Sequence, residues 1–169
     1  MAKTSYAVAL GSNRRHGRYG APQRVVAAAV AAMEDMGLDI VALSPIRATP
    51  AMGPAGRGFA NAATLVECDL EPPELLAFLK QIECTFGRRP GRRWGPRVLD
   101  LDIILWSEGS WEGAGLVVPH PGFRERDFVL DPLADIAPDW RDPLTGATIR
   151  QLRHRLRAPR PVDRTASPS

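Results

Sequence analysis

The order of apolar runs and breakers predicts an α+β fold, a ferredoxin-like βαββαβ core in which helices pack on an antiparallel sheet, followed by C-terminal helical additions. Three observations carry this. Residues 5–10, 40–43, 59–68 and 98–106 are short apolar runs bounded by turn-forming residues, as strands are. Residues 22–37 and 71–87 instead repeat apolar side chains at helical spacing. Taken along the chain, these runs give strand, helix, strand, strand, helix, strand, which is the split βαβ arrangement.

The first strand runs into Gly11-Ser12-Asn13 and is expected to break there into a loop carrying Arg14, Arg15, His16 and Arg18. Pro22 suits a first helical turn, and Val25, Val26, Ala29, Val30 and Met33 form one apolar stripe before Gly37 ends the helix. After the second strand, residues 48–58 are too rich in Gly and Pro for regular structure. Glu71-Pro72-Pro73-Glu74 opens the second helix, whose Leu75, Leu76, Leu79 and Ile82 keep helical spacing up to Gly87. Beyond Trp106, residues 108–115 read as a turn-rich hairpin region and residues 127–136 as a helical stretch that Pro132 kinks or divides. Residues 148–156 form a last amphipathic helix. Residues 1–158 are thus expected to be a single domain, and 159–169, rich in Pro, Arg and Ser, a flexible tail.

The charge distribution narrows the function. Of 22 basic and 19 acidic residues, six arginines and one acid fall in residues 150–169, which leaves 16 and 18 in the rest. The body is therefore slightly acidic, unlike a nucleic-acid surface, which spreads basic residues over a face. Cys68 and Cys84 make no disulfide framework and lack metal-ligand spacing. The apolar runs at 6–10 and 25–33 are too short for a signal peptide or a bilayer span, so a cytoplasmic protein without membrane contact is expected.

The chemistry concentrates in residues 88–106. Side chains alternate along a strand, so Asp100 and Asp102 project to one face while Leu99, Leu101 and Ile103 project to the other. Two carboxylates side by side repel unless a cation lies between them, and hard oxygen ligands suit magnesium. From Ile103 to Trp106 the run is apolar on both faces, so the strand enters a covered core and leaves the acidic pair near its mouth. Just before it, residues 88–97 hold five arginines and no acid. A cationic loop beside a metal-binding pair is what a polyphosphate substrate needs.

Four motifs then recur in one order: Gly11-Ser12-Asn13; Thr49-Pro50-Ala51-Met52-Gly53-Pro54 with Phe59-x-Asn61; Arg-Trp-Gly-Pro-Arg-x-Leu-Asp-Leu-Asp-Ile-Ile-Leu at 93–105; and Val118-Pro119-His120 with Arg126-x-Phe128. Through them the chain, from Tyr6 to about Leu156, closely resembles the 6-hydroxymethyl-7,8-dihydropterin pyrophosphokinases of the folate pathway. The resemblance implies transfer of pyrophosphate from the co-substrate ATP to the hydroxymethyl group of the pterin, with release of AMP. It makes Asp100 and Asp102 catalytic ligands of two magnesium ions, and Arg88 and Arg97 catalytic residues that neutralise the triphosphate. Thr49, Pro50, Met52, Gly53, Phe59, Asn61 and Phe128 would bind the pterin. Glu83, Arg88, Arg97, His120 and Arg126 would bind ATP, and Trp94 would close as a lid. Small-molecule substrates, no nucleic acid and a monomer are expected.

The residue types agree with that implication. A pterin is a flat heterobicycle with an aminopyrimidinone edge, which calls for aromatic faces and an amide able to donate and accept. Two other readings stay open: a single-stranded RNA-binding module that stacks bases on Phe59 and Phe128, and another two-magnesium phosphoryl-transfer enzyme. The Walker pattern Gly-x4-Gly-Lys-Ser/Thr is absent, which disfavours the commonest nucleotide-binding kinases.

Overall fold

The computed structural model describes residues 2–13, 20–49, 58–87, 98–113 and 115–158. β1 (Thr4–Ser12) pairs antiparallel with β4 (Phe59–Cys68) along its whole length, from Thr4 opposite Cys68 to Ser12 opposite Ala60. On its other side β1 pairs antiparallel with β5 (Asp100–Trp106). β2 (Asp39–Leu43) lies outside β4, so the strand order is β2-β4-β1-β5. α1 (Pro22–Asp35) and α2 (Pro72–Thr85) connect strands that are not neighbours. This is the expected split βαβ core. Each of these helices has proline in its first turn, where a missing N–H costs no hydrogen bond. α2 adds a capping box in which Glu74 Oε1 accepts the Glu71 N–H at 3.0 Å.

Two boundaries differ from expectation. Gly11 does not break the first strand, because β4 and β5 flank it and hold it in register through Ser12. Residues 47–49 also form a strand rather than loop: β3 (Arg47–Thr49) continues where β2 leaves off, and the overhanging end of β4 supplies its ladder, with Ala48 opposite Ala60 and Thr49 opposite Phe59.

The sheet is covered on both sides. Tyr6, Val8 and Leu10 of β1 face α1 and α2 and join Val25, Val26, Met33, Leu75, Leu79 and Ile82 in the larger core. Ala7 of β1 faces the other way, into a smaller core with Ile104, Leu105, Phe123, Leu130, Leu133, Ile149 and Leu152. The last three helical elements make this second layer: a short 3-10 turn (Phe123–Glu125), α3 (Asp127–Ile136) and α4 (Ile149–Arg157). Between them and β5 lies a hairpin of β6 (Trp111–Gly113) and β7 (Leu116–Val118).

β5 meets both cores by a bulge. Val8 pairs with Ile103 and Ala7 with Leu105, so Ile104 is an extra residue. Alternation is interrupted there, and Ile104 and Leu105 both enter the smaller core. Trp106 returns to the larger side, where its ring stacks on Tyr6 with centroids 6.0 Å apart. The Ile104 carbonyl accepts the His120 N–H at 3.0 Å, which anchors the chain leaving β7.

α3 runs through Pro132, so the proline does not divide the helical stretch. The proline has no N–H to offer the Phe128 carbonyl, and it is buried, as are Val129, Leu130 and Leu133 of the same helix. Ion pairs fix α3 from both sides. Arg47 of β3 reaches Asp135 at 2.8 Å, while Arg153 and Arg157 of α4 reach Asp131 at 2.9 and 2.7 Å.

Among the described residues the most buried ion pair joins the 3-10 turn to the loop before α4. Arg124 Nε and Nη2 donate to the two oxygens of Asp142 at 2.6 and 2.9 Å, and Asp142 is fully buried. Burial alone would raise its carboxyl. Hydrogen bonds from Arg124, from Thr145 Oγ1 and from the Leu144 N–H outweigh that and pull it down to about 2. A carboxylate held below its ordinary value of about 4 stabilises the fold fully above that pH, and the contribution fades as pH falls toward 2. Asp142→Ala is therefore expected to cost about 3–5 kcal/mol at neutral pH, since it strands the Arg124 charge. Melting temperatures taken from pH 7 to pH 2 check this, and a variant that melts with wild type across the range would remove the pair from the account.

Candidate active site

The side chains that β1, β4 and β5 turn toward α3 form two rows. Asn61, Gly11 and Asp100 stand abreast across the three strands, and Ala63, Ala9 and Asp102 make the next row. Between the amide and the carboxylates the sheet thus carries only glycine and alanine, which leaves an open floor. A Cβ on Gly11 would stand 3.2 Å from Asn61 Oδ1, so glycine is what lets the amide lie across β1. Phe59 precedes Asn61 by two residues on β4 and shares its face.

The wall comes from the start of α3. Arg126, Asp127, Phe128 and Val129 face the floor across a cleft of about 700 Å³, with Asn13, Phe59, Asn61, Asp100 and Asp102 opposite. That volume suits a small molecule, for which pockets of about 300–1,000 Å³ are usual. Phe59 and Phe128 are 49% and 48% exposed, so neither ring is spent on the core and both are available to a flat ligand. The Arg126 guanidinium carbon lies 5.7 Å from the Phe128 ring centre. Gly122 makes room for it, since a Cβ there would stand 3.2 Å from Arg126 Nε.

His120 is half-buried at the turn after β7, next to these groups. Burial lowers its pKa most, Asp102 opposes that and Arg126 adds to it, and the net direction is down, so the ring is neutral at pH 7. Its Nδ1 accepts the Gly122 N–H at 3.2 Å, which puts the ring proton on Nε2 as a donor.

The structure therefore gathers Asp100, Asp102, Phe59, Asn61, Phe128 and Arg126 around one cleft, with His120 in electrostatic reach of Asp102 and Arg126. Thr49 ends β3 opposite Phe59. Glu83, expected at the nucleotide, does not line the cleft: it is 6% exposed on α2, and its Oε2 accepts the Leu101 N–H at 2.9 Å. Pro50, Met52, Gly53, Arg88, Trp94 and Arg97 lie outside the described residues. Three contributors escape the sequence reading, while Gly11 is read there only as part of the Gly11-Ser12-Asn13 motif. Ala9 shows only as a small residue, Gly122 as one turn glycine among several, and Asp127 as the acid between Arg126 and Phe128.

Among the described residues, the start of α3 faces Phe59 and Asn61, so they line a cleft rather than the open platform on which bases of single-stranded RNA stack. Among the described residues no helix is long and apolar enough to cross a membrane.

The 2-amino-4-hydroxy-6-hydroxymethyldihydropteridine pyrophosphokinase of Pseudomonas aeruginosa is 42% identical over 138 residues, 80% of this chain and 82% of that protein. The protein of the same name from Synechocystis sp. is 45% identical over 116 residues, 69% of this chain and 60% of its own length. Among solved structures, the wild-type Plasmodium falciparum HPPK-DHPS crystallised with SDX-DHP has the same fold, with a TM-score of 0.65 at 14% identity. The match covers 90% of this chain but 43% of that one. With residues 7–138 also matching its family description, the chain belongs to the 7,8-dihydro-6-hydroxymethylpterin-pyrophosphokinase (HPPK) family.

Proposed function

We propose that this chain transfers the pyrophosphoryl group of ATP to the hydroxymethyl oxygen of 6-hydroxymethyl-7,8-dihydropterin and releases AMP. One observation carries the reading: a single cleft brings a carboxylate pair, two half-exposed aromatic rings and an edge-reading amide together from separate elements. Phe59 and Phe128 offer faces to the flat ring, and Asn61 can donate to and accept from its edge. Arg126 and the neutral Nε2–H of His120 are donors for phosphate oxygens. By family resemblance Arg88 and Arg97 neutralise the triphosphate, Trp94 covers the site, and Thr49, Pro50, Met52 and Gly53 complete the pterin's edge.

In the reaction the hydroxymethyl oxygen gives up its proton to solvent and bonds to the β-phosphorus, while the bond from that phosphorus to the α-phosphate bridging oxygen breaks. AMP leaves with the electron pair. Catalysis of this kind is mostly positioning and charge neutralisation. Asp100 and Asp102 fit magnesium in chemistry: they are half-buried carboxylates on one strand face, lining the same cleft. Among the described residues the pair belongs to no larger group of three or more potential ligands. Asp100 and Asp102 would hold the magnesium, which would supply neutralisation of the phosphate charge.

The nucleotide product tests the reading. With ATP, the pterin and magnesium, AMP is expected; ADP would make this an ordinary kinase, and retention of RNA without turnover would favour a binding module. Asp100→Ala and Asp102→Ala should each abolish turnover without altering the circular dichroism spectrum, and near wild-type rates in either would remove the metal assignment. Phe59→Ala and Phe128→Ala should each weaken binding of a pterin analogue by about 1–3 kcal/mol, with smaller effects on ATP. Titration calorimetry checks this, and equal losses for both ligands would contradict the division of the cleft.

A further inference from the structure

Glu83 sits four residues after Leu79 on the buried stripe of α2, where a carboxylate is out of place among Leu75, Leu79 and Ile82. What it meets there is backbone. Among the described residues β5 ends the strand order, so N–H groups on its outer side meet no further described strand. Glu83 Oε2 accepts one of these, the N–H of Leu101, at 2.9 Å. Leu101 is the residue between Asp100 and Asp102, and its own side chain is buried on the α2 side of the sheet. Lys80 Nζ stands 3.8 Å from the other carboxylate oxygen.

We propose that Glu83 is a positioning residue for the acidic pair: by holding the Leu101 N–H it fixes the peptide units that carry Asp100 and Asp102, and thereby their separation and direction in the cleft. The carboxylate lies across the strand from the site and acts on it through the backbone. An ionised acceptor makes the stronger hydrogen bond and holds the strand more stiffly than a neutral one. Without any acceptor the buried N–H is left unsatisfied, and the strand can shift to find another partner. The inference rests on the proposed reaction only in taking magnesium as what the pair holds.

The test uses the full-length protein with manganese as a paramagnetic substitute for magnesium, a non-hydrolysable ATP analogue, and amide hydrogen exchange. Glu83→Met keeps the length of the side chain and removes both acceptors. It should weaken manganese binding about 10- to 100-fold, as loss of supporting contacts at metal sites does, and should expose the Leu101 amide to exchange while amides between β1 and β4 keep their protection. Glu83→Gln retains an acceptor and should recover most of the affinity and the Leu101 protection. Wild-type manganese affinity in Glu83→Met would overturn the proposal. So would a Glu83→Gln protein that loses Leu101 protection yet binds manganese as wild type does, an outcome readable even if Glu83→Met fails to fold. Absence of AMP formation by the wild-type enzyme would instead sink the reaction, and the manganese and exchange data would still decide the role of Glu83.

Discussion

The constraint on which this structure turns is the side-chain phase of β5. Its first half must put two carboxylates on one face, over a floor small enough to leave a cleft. Its second half must fill the core beneath α3 and α4. Strict alternation would turn Leu105 away from that core and Trp106 into it. The extra residue at Ile104 resets the phase after the acidic pair, so that Ile104 and Leu105 both pack under the roof and Trp106 swings back to Tyr6. The same bulge frees a carbonyl for the His120 N–H, which ties the position of the histidine to the strand that carries Asp102.

Much of this is legible in the residues, for reasons that differ from place to place. The strand and helix order follows from apolar spacing, and the shared face of Asp100 and Asp102 follows from the two-residue period alone. The bulge is hidden because Ile104 and Leu105 are both apolar, and an apolar run reads as a covered strand whatever its phase. β3 is hidden because its partner is the far end of β4, a pairing no local window contains. Phe59 and Phe128 look like core residues singly, and only their half-exposure on one cleft separates them from packing. Arg124 and Asp142 belong to irregular segments 18 positions apart, where no periodicity links them. Glu83 did leave a trace: the helical stripe that predicts α2 also places its carboxylate among leucines.

The arginines of the C-terminal helix show how composition misleads when read without partners. Arg153 and Arg157 clasp Asp131, and Arg150 lies 3.1 Å from Asp139, so half of the basic residues that set this end apart are engaged with acids of the preceding segment. They brace the roof of the cleft from outside, as Arg47 does from the β3 side. The ion pairs at Asp131 and Asp135 tie α3 to its neighbours on both sides.

The two layers that enclose the sheet are unequal, and the cleft belongs to the thinner one. The larger core unites α1, α2 and one whole face of the sheet, while the roof over Asp100 and Asp102 is held by a smaller apolar set and a few ion pairs. Segments with less buried apolar surface open at lower free energy than the rest of a domain. On warming, the roof is expected to lift first, so that activity is lost while most of the helix and strand signal persists. Heat inactivation is then expected to begin as a local opening, and turnover that returns on cooling from below the melting transition would be its signature.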